Sequence, residues 1–294
     1  MMLTEEQKRR IVALVQKFRE EVSSYLQKKS ELDKCKKIIQ EKTMELSKVA
    51  EEERQIETAM EILYGEEKKE SRARKIEEEI KLWREKSEKL RNELIQLKTN
   101  LLRQMRDLPI PADLENLKHE ESYIVFPFFE EAKLGNEGIN VICDLFEEKP
   151  PLKLNDVLIL PDKIIAKNAS KKQEAIFKLV EAIRSFRLRV DDLLKSYEHI
   201  DEIVERVKRS KRYTEILKVL AKKEKLSTEE IASFLNVDKR KAYDACYNLT
   251  RSNWSPTPIR RTSSGEWELT LAGKILVKRL LERFPQEKAE IILE

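Results

Sequence analysis

From Met1 to Tyr64 the chain contains neither glycine nor proline, and apolar residues return every seven positions: Ile11, Phe18, Tyr25, Leu32, Ile39, Leu46 and Met60, with Glu53 the one break. A heptad stripe free of helix breakers dictates a long helix. Its seam is too narrow for a globular core and has to be buried against another helix. The alternate seam positions begin apolar at Val15 and Val22, then turn polar at Lys29, Lys36 and Thr43, so the stripe narrows. Gly65, in "LYGEEKKES", interrupts the pattern. From Ile76 the seam is stricter, with Ile76, Ile80, Trp83, Ser87, Leu90, Leu94, Leu97, Leu101 and Leu108 keeping the alternating three and four spacing.

Residues 1–108 are therefore expected to be a coiled-coil region with a break at 65. Folding back at Gly65 pairs the two helices as an antiparallel hairpin; running on makes a parallel dimer in which Gly65 is only a kink. Before the break roughly 60 residues span about 90 Å, and after it roughly 40 span about 60 Å, at 1.5 Å per residue. The longer first arm leaves Phe18, Val22 and Tyr25 in need of another partner. A third heptad segment within 169–210 is the candidate, in the same chain or in a second copy: Ile176, Val180, Ile183, Val190, Leu194, Tyr197 and Val204, with Arg187 and Asp201 at seam positions. The mixed-sign runs "EEER" and "GEEKKESRARKIEEEIK" read as solvated faces of these helices rather than interaction tails.

Composition agrees with long exposed helices: 39% of residues are charged and only 6% aromatic, too little bulky apolar material for one thick core. Cys35, Cys143 and Cys246 lie far apart without a CxxC pair, so neither a disulfide framework nor a structural zinc site is written here. With no apolar leader and no long uncharged apolar run, a soluble cytoplasmic chain is expected, without membrane contact.

Pro109 and Pro111 end the second helix, and residues 109–168 change rhythm. "SYIVFPFF" and "NDVLIL" are β-branched and aromatic-rich, while Gly135, Gly138 and Pro150-Pro151 punctuate loops, so a small α+β or irregular module is expected. Its carboxylates Asp144, Glu147, Glu148, Asp156 and Asp162 have no histidine at ligand spacing, the only histidines being His119 and His199. No P-loop, G-x-S-x-G or HExxH is present, so neither enzyme activity, nor a metal, nor a cofactor is expected.

Residues 211–294 carry the functional signal. Tyr213, Ile216, Leu217 and Leu220 mark one amphipathic helix. "STEEIASFLNV" offers Ser227 or Thr228 as an N-cap, a carboxylate two or three residues on, and Ile231, Ala232, Phe234 and Leu235 on a buried side, ending at the turn-tolerant Asn236. Asp238 caps a third helix, "KRKAYDACYNLTRSN", and two helices around so short a turn form a helix-turn-helix. Pro256 and Pro258 then force an extended entry, Ile259 to Thr262 and Glu266 to Leu269 pair across Ser263-Ser264-Gly265, and a last helix starts at Thr270.

This order resembles the winged-helix superfamily, and "EWELTLAGKILV" is similar to the strand-to-helix junction of MarR- and PadR-like members, an aromatic followed by Leu-Thr and then Gly. The resemblance covers about a quarter of the chain. It implies that the third helix is the recognition helix and the hairpin the wing. The expected fold class is thus mainly α: long coiled-coil helices, a small α+β middle module and a C-terminal winged helix-turn-helix.

Charge supports the same end independently. Residues 205–284 hold nineteen lysines and arginines against ten aspartates and glutamates, a net of +9 where the whole chain has +4. Lys239, Arg240 and Lys241 crowd the start of the candidate recognition helix, Arg251 its end, and Arg260 and Arg261 the wing, where phosphates would lie. Tyr243, Tyr247 and Asn248 are placed to reach base edges. The expected function is double-stranded DNA binding by a homodimer formed through the coiled coils, as a transcription regulator or an architectural chromosomal factor associated with the nucleoid. The alternative is a coiled-coil scaffold whose coil or winged helix faces a protein partner.

Overall fold

The computed structural model describes residues 4–63, 72–107, 112–251, 254 and 256–284. These are mainly helical, with two small antiparallel sheets. The chain divides into two compact units, Arg19–Asn100 on one side and Met1–Phe18 with Leu101–Glu294 on the other.

The unit Arg19–Asn100 is built from α1 (Glu5–Leu63) and α2 (Arg72–Asp107). Lys28 pairs with Glu93, and two heptads further on Lys42 pairs with Glu79 at 2.9 Å, so advancing along one helix means retreating along the other by the same amount. The two helices are antiparallel partners within one chain, and the parallel-dimer alternative falls. The reversal placed at Gly65 lies outside the described residues. Exposed ion pairs contribute little; the seam holds the hairpin. Val49, Ile76 and Ile80 bury one another with Leu46 and Ala73 against them, and Leu32, Cys35, Leu90 and Leu94 are buried further along. Ser87, an expected seam residue, is buried with its hydroxyl unpaired among the described residues.

In the larger unit α1 begins with a capping box, Thr4 N donating to Gln7 Oε1 at 2.9 Å and Gln7 N to Thr4 Oγ1 at 3.2 Å. Ile11 and Val15 then cluster with Ala132, flanked by Val12 and Phe129. Phe18 lies over Gly138, whose missing Cβ would stand 3.5 Å from Phe18 Cε1. The start of α1 is therefore covered by the middle module. A bare α-carbon is what lets the phenyl ring approach.

That module is a five-stranded antiparallel sheet: β1 (Lys118–Glu120), β2 (Tyr123–Pro127), β3 (Leu152–Leu154), β4 (Val157–Ile159) and β5 (Lys163–Lys167), in the order β1-β2-β5-β4-β3. The two expected strands are β2 and β4; β1, β3 and β5 complete the sheet. Gly135, at φ 72°, turns the chain into α3 (Gly135–Leu145), as punctuation expects, whereas Gly138 lies inside that helix, where Ile139, Ile142 and Leu145 bury a face too strong for one glycine to break.

The third heptad segment is corrected in two ways. It is two helices, α4 (Lys172–Glu198) and α5 (Ile200–Lys208), parted at His199, which is outside helical geometry at φ −117° and ψ 15°. α4 packs on four strands of the sheet, with Ala175, Leu179, Ala182, Val190, Leu193 and Leu194 as its buried stripe. Of the expected seam Val180 is instead 40% exposed. α4 packs on the C-terminal helix Leu271–Arg283 as well, so a heptad pattern read against one partner helix does not anticipate its surroundings.

The C-terminal part runs α6 (Lys211–Lys223), β6 (Lys225–Leu226), α7 (Thr228–Leu235), α8 (Lys239–Leu249), β7 (Ile259–Arg261), β8 (Trp267–Leu269) and α9 (Leu271–Arg283), with sheet order β6-β8-β7. β6 was not expected from the sequence. It adds a third strand through Leu226, which registers with Trp267. Among the described residues no helix is long and apolar enough to cross a membrane.

Candidate nucleic-acid interface

Local capping chemistry sets the geometry of α7 and α8. Ser227 Oγ accepts from Glu230 N while the Glu230 carboxylate accepts from Ser227 N at 2.8 Å, a complete capping box. The hydrogen bonds that its carboxylate accepts from Ser227 N and from Ser227 Oγ hold the Glu230 carboxyl below its ordinary range. Asn236 ends α7 in the left-handed region at φ 49° and ψ 49°, and Asp238 Oδ1 then accepts from Lys241 N at 2.9 Å to start α8. The turn between the two helices is thus built from Asn236, Val237 and Asp238.

α8 buries Ala242, Ala245, Cys246 and Leu249. Burial pushes the Cys246 thiol up to about 12. Its opposite face carries Arg240, Tyr243, Asp244 and Tyr247, all exposed, at helical spacings of three and four, and the exposed Arg251 follows just beyond the end of the helix. Tyr243 and Tyr247 stack with ring centroids 6.1 Å apart and planes 9° from parallel. The Arg251 guanidinium lies 5.4 Å from the Tyr247 ring. Asn248 is half-buried beside this row.

The hairpin contributes to the same face through one arginine only. Arg261 registers with Trp267, and its guanidinium lies 5.8 Å from the Tyr243 ring and 5.7 Å from the Trp267 ring, with Nε donating to Gly265 O at 3.1 Å. Trp267 is anchored in turn, its Nε1 donating to Thr228 Oγ1 at 3.0 Å on α7. Arg260 is one residue away and so points to the other face of the ribbon. There it registers with Glu268, which also faces Lys225, and donates from Nε to Glu268 Oε1 at 2.7 Å. Arg260 beside it holds the Glu268 carboxyl below its ordinary range.

The nine expected contact residues therefore fall into groups. Arg261, Tyr243, Tyr247 and Arg251 form a continuous ladder in which two stacked tyrosines lie between two guanidinium groups, with Arg240 on the same side of α8. Lys239 is paired with Glu229 on α7, and Lys241 with Asp238 at 3.0 Å. Arg260 stands away from the ladder. Trp267 was missed as a site residue; its only sequence signal was being the aromatic of the "EWEL" strand, opposite Arg261 once the hairpin register is drawn.

Phe234, expected on the buried side of α7, is 52% exposed. Among the described residues no group of three or more His, Cys, Asp or Glu side chains is placed to hold a metal ion. Comparison with known protein families, with curated proteins and with solved structures finds no match for this chain.

Proposed function

We propose that this chain is a non-enzymatic, double-stranded DNA-binding protein whose C-terminal part is a winged helix, with α8 as the recognition helix and the β7–β8 ribbon as the wing. It acts as a regulator or an architectural chromosomal factor. The observation that carries this reading is the exposed ladder in which Arg261 of β7 and Arg251 just beyond α8 flank Tyr243 and Tyr247 on the outward face of α8, within a segment of net charge +9. Arginines spread along a helix and an adjoining ribbon reach phosphates on both sides of a groove, while the tyrosines offer hydroxyls and ring faces to what lies between.

A salt titration of duplex binding by the full chain tests this. Arg251→Ala and Arg261→Ala should each weaken binding to all duplexes alike and lower the slope of log K against log salt by about 0.9 for every phosphate that is no longer neutralised. Parent-like binding by the double variant at every salt concentration overturns the DNA reading. One observation favours the protein-binding alternative: Arg260, Lys239 and Lys241 already have carboxylate partners within the chain. Such a surface asks less of an anionic polymer and more of a partner with its own apolar and hydrogen-bonding groups.

A further inference from the structure

α4 carries an apolar surface that the fold does not use. On the side away from its buried stripe, Phe177 is 66% and Leu188 68% exposed, with Val180 beside them at 40%. Between the two large side chains lie Glu181 and Arg184, an exposed ion pair at 2.8 Å. Phe177, Glu181, Arg184 and Leu188 follow a four-three-four spacing, which keeps them on one face of the helix.

That spacing is palindromic, and so is the chemistry. Read backwards, apolar, acid, base, apolar becomes apolar, base, acid, apolar. Laid antiparallel on itself, this face sets Phe177 level with Leu188 of a second copy, and Glu181 level with Arg184 of a second copy, twice over. A parallel arrangement would oppose like charges. We propose that this face of α4 is a twofold, antiparallel contact between two copies of this chain. One layer further out Glu174 comes level with Asp191 of the second copy, two carboxylates, which limits the contact to about three helical turns and makes the association reversible. The contact is independent of the DNA reading, and it differs from a dimer formed through the N-terminal coil, whose seam α1 and α2 bury against each other. If both hold, two copies of the α8 ladder are carried on one particle.

Sedimentation equilibrium of the full chain from about 1 to 100 µM, a range suited to a contact below the standard interface size, tests the proposal. The parent should show a monomer–dimer equilibrium, and Leu188→Asp should be monomeric throughout with unchanged circular dichroism. Glu181→Arg and Arg184→Glu, each alone, should weaken dimerisation at least tenfold. Mixed one to one, those two variants should dimerise again, because each chain then offers the charges the other lacks. A parent that stays monomeric overturns the proposal. So does a dimer indifferent to all three substitutions, which would place association on another surface.

Discussion

Gly273→Ala is the substitution whose cost can be worked most directly from the structure. Gly273 lies in the first turn of α9, where Thr270 Oγ1 accepts from its N at 3.1 Å. A Cβ added there would stand 1.9 Å from Pro258 O and 2.9 Å from Pro258 C, whereas real Cβ atoms essentially never come within 3.0 Å of such neighbours. α9 and the strand leading into β7 must therefore part by on the order of 1 Å, which is overpacking at a cost of about 1–3 kcal/mol. The same movement pulls on two hydrogen bonds from Thr270, N to Pro258 O at 3.0 Å and Oγ1 to Thr257 O at 2.6 Å, each contributing about 1 kcal/mol. Against this, replacing a helical glycine by alanine returns about 0.5–1 kcal/mol. The balance is destabilising by about 2–4 kcal/mol. Denaturant unfolding of the full chain, followed by the fluorescence of buried Trp267, should show a clearly lowered midpoint. Gly138→Ala is the control: in α3 its new Cβ meets Phe18 Cε1 at 3.5 Å and Leu134 Cβ at 3.6 Å, ordinary van der Waals distances, so stability should hold or rise by up to about 1 kcal/mol. A Gly273→Ala protein as stable as the parent refutes the close approach, and with it the physical account of the Leu-Thr-x-x-Gly junction.

In the hairpin, Leu94→Lys puts an unpaired charge into the seam and should cost on the order of 3–5 kcal/mol, read as lost helicity and a lower melting temperature. Ser87→Ala removes a buried, unpaired hydroxyl and should instead stabilise by about 1 kcal/mol in the same melting assay. The carboxyls of Glu230, Asp238 and Glu268 sit below their ordinary values, drawn down by the backbone at Ser227, the backbone at Lys241 and the Arg260 side chain respectively. Their stabilisation is complete above the ordinary carboxylate range and is lost as pH falls through the depressed values. Acid titration followed by Trp fluorescence should therefore loosen α7, α8 and the ribbon, which neutral pH leaves intact. Burial raises the thiols of Cys143 to about 11 and Cys246 to about 12, and Cys35 is buried as well; a thiol reagent at about pH 8, below both of these values, should modify none of the three until the chain is unfolded.

Much of the chain's local architecture is written in its residue order. Heptad spacing free of glycine and proline produces two long helices, and the caps at Ser227, Asp238 and Thr270 start α7, α8 and α9 where local hydrogen bonding requires. These are short-range effects, complete within one or two turns, and so legible without a fold. Tertiary structure decided what those elements meet. That Phe18 lies against α3 depended on a bare Gly138 beneath it. The stripe by which α4 is buried depended on a sheet of which β1, β3 and β5 carry no sequence pattern that marks them singly. At the candidate interface, the sequence places two arginines side by side, but strand alternation sends Arg261 to the tyrosine ladder and Arg260 to Glu268 on the other face. A charge can be counted from sequence; its partner is chosen by residues that only folding brings near.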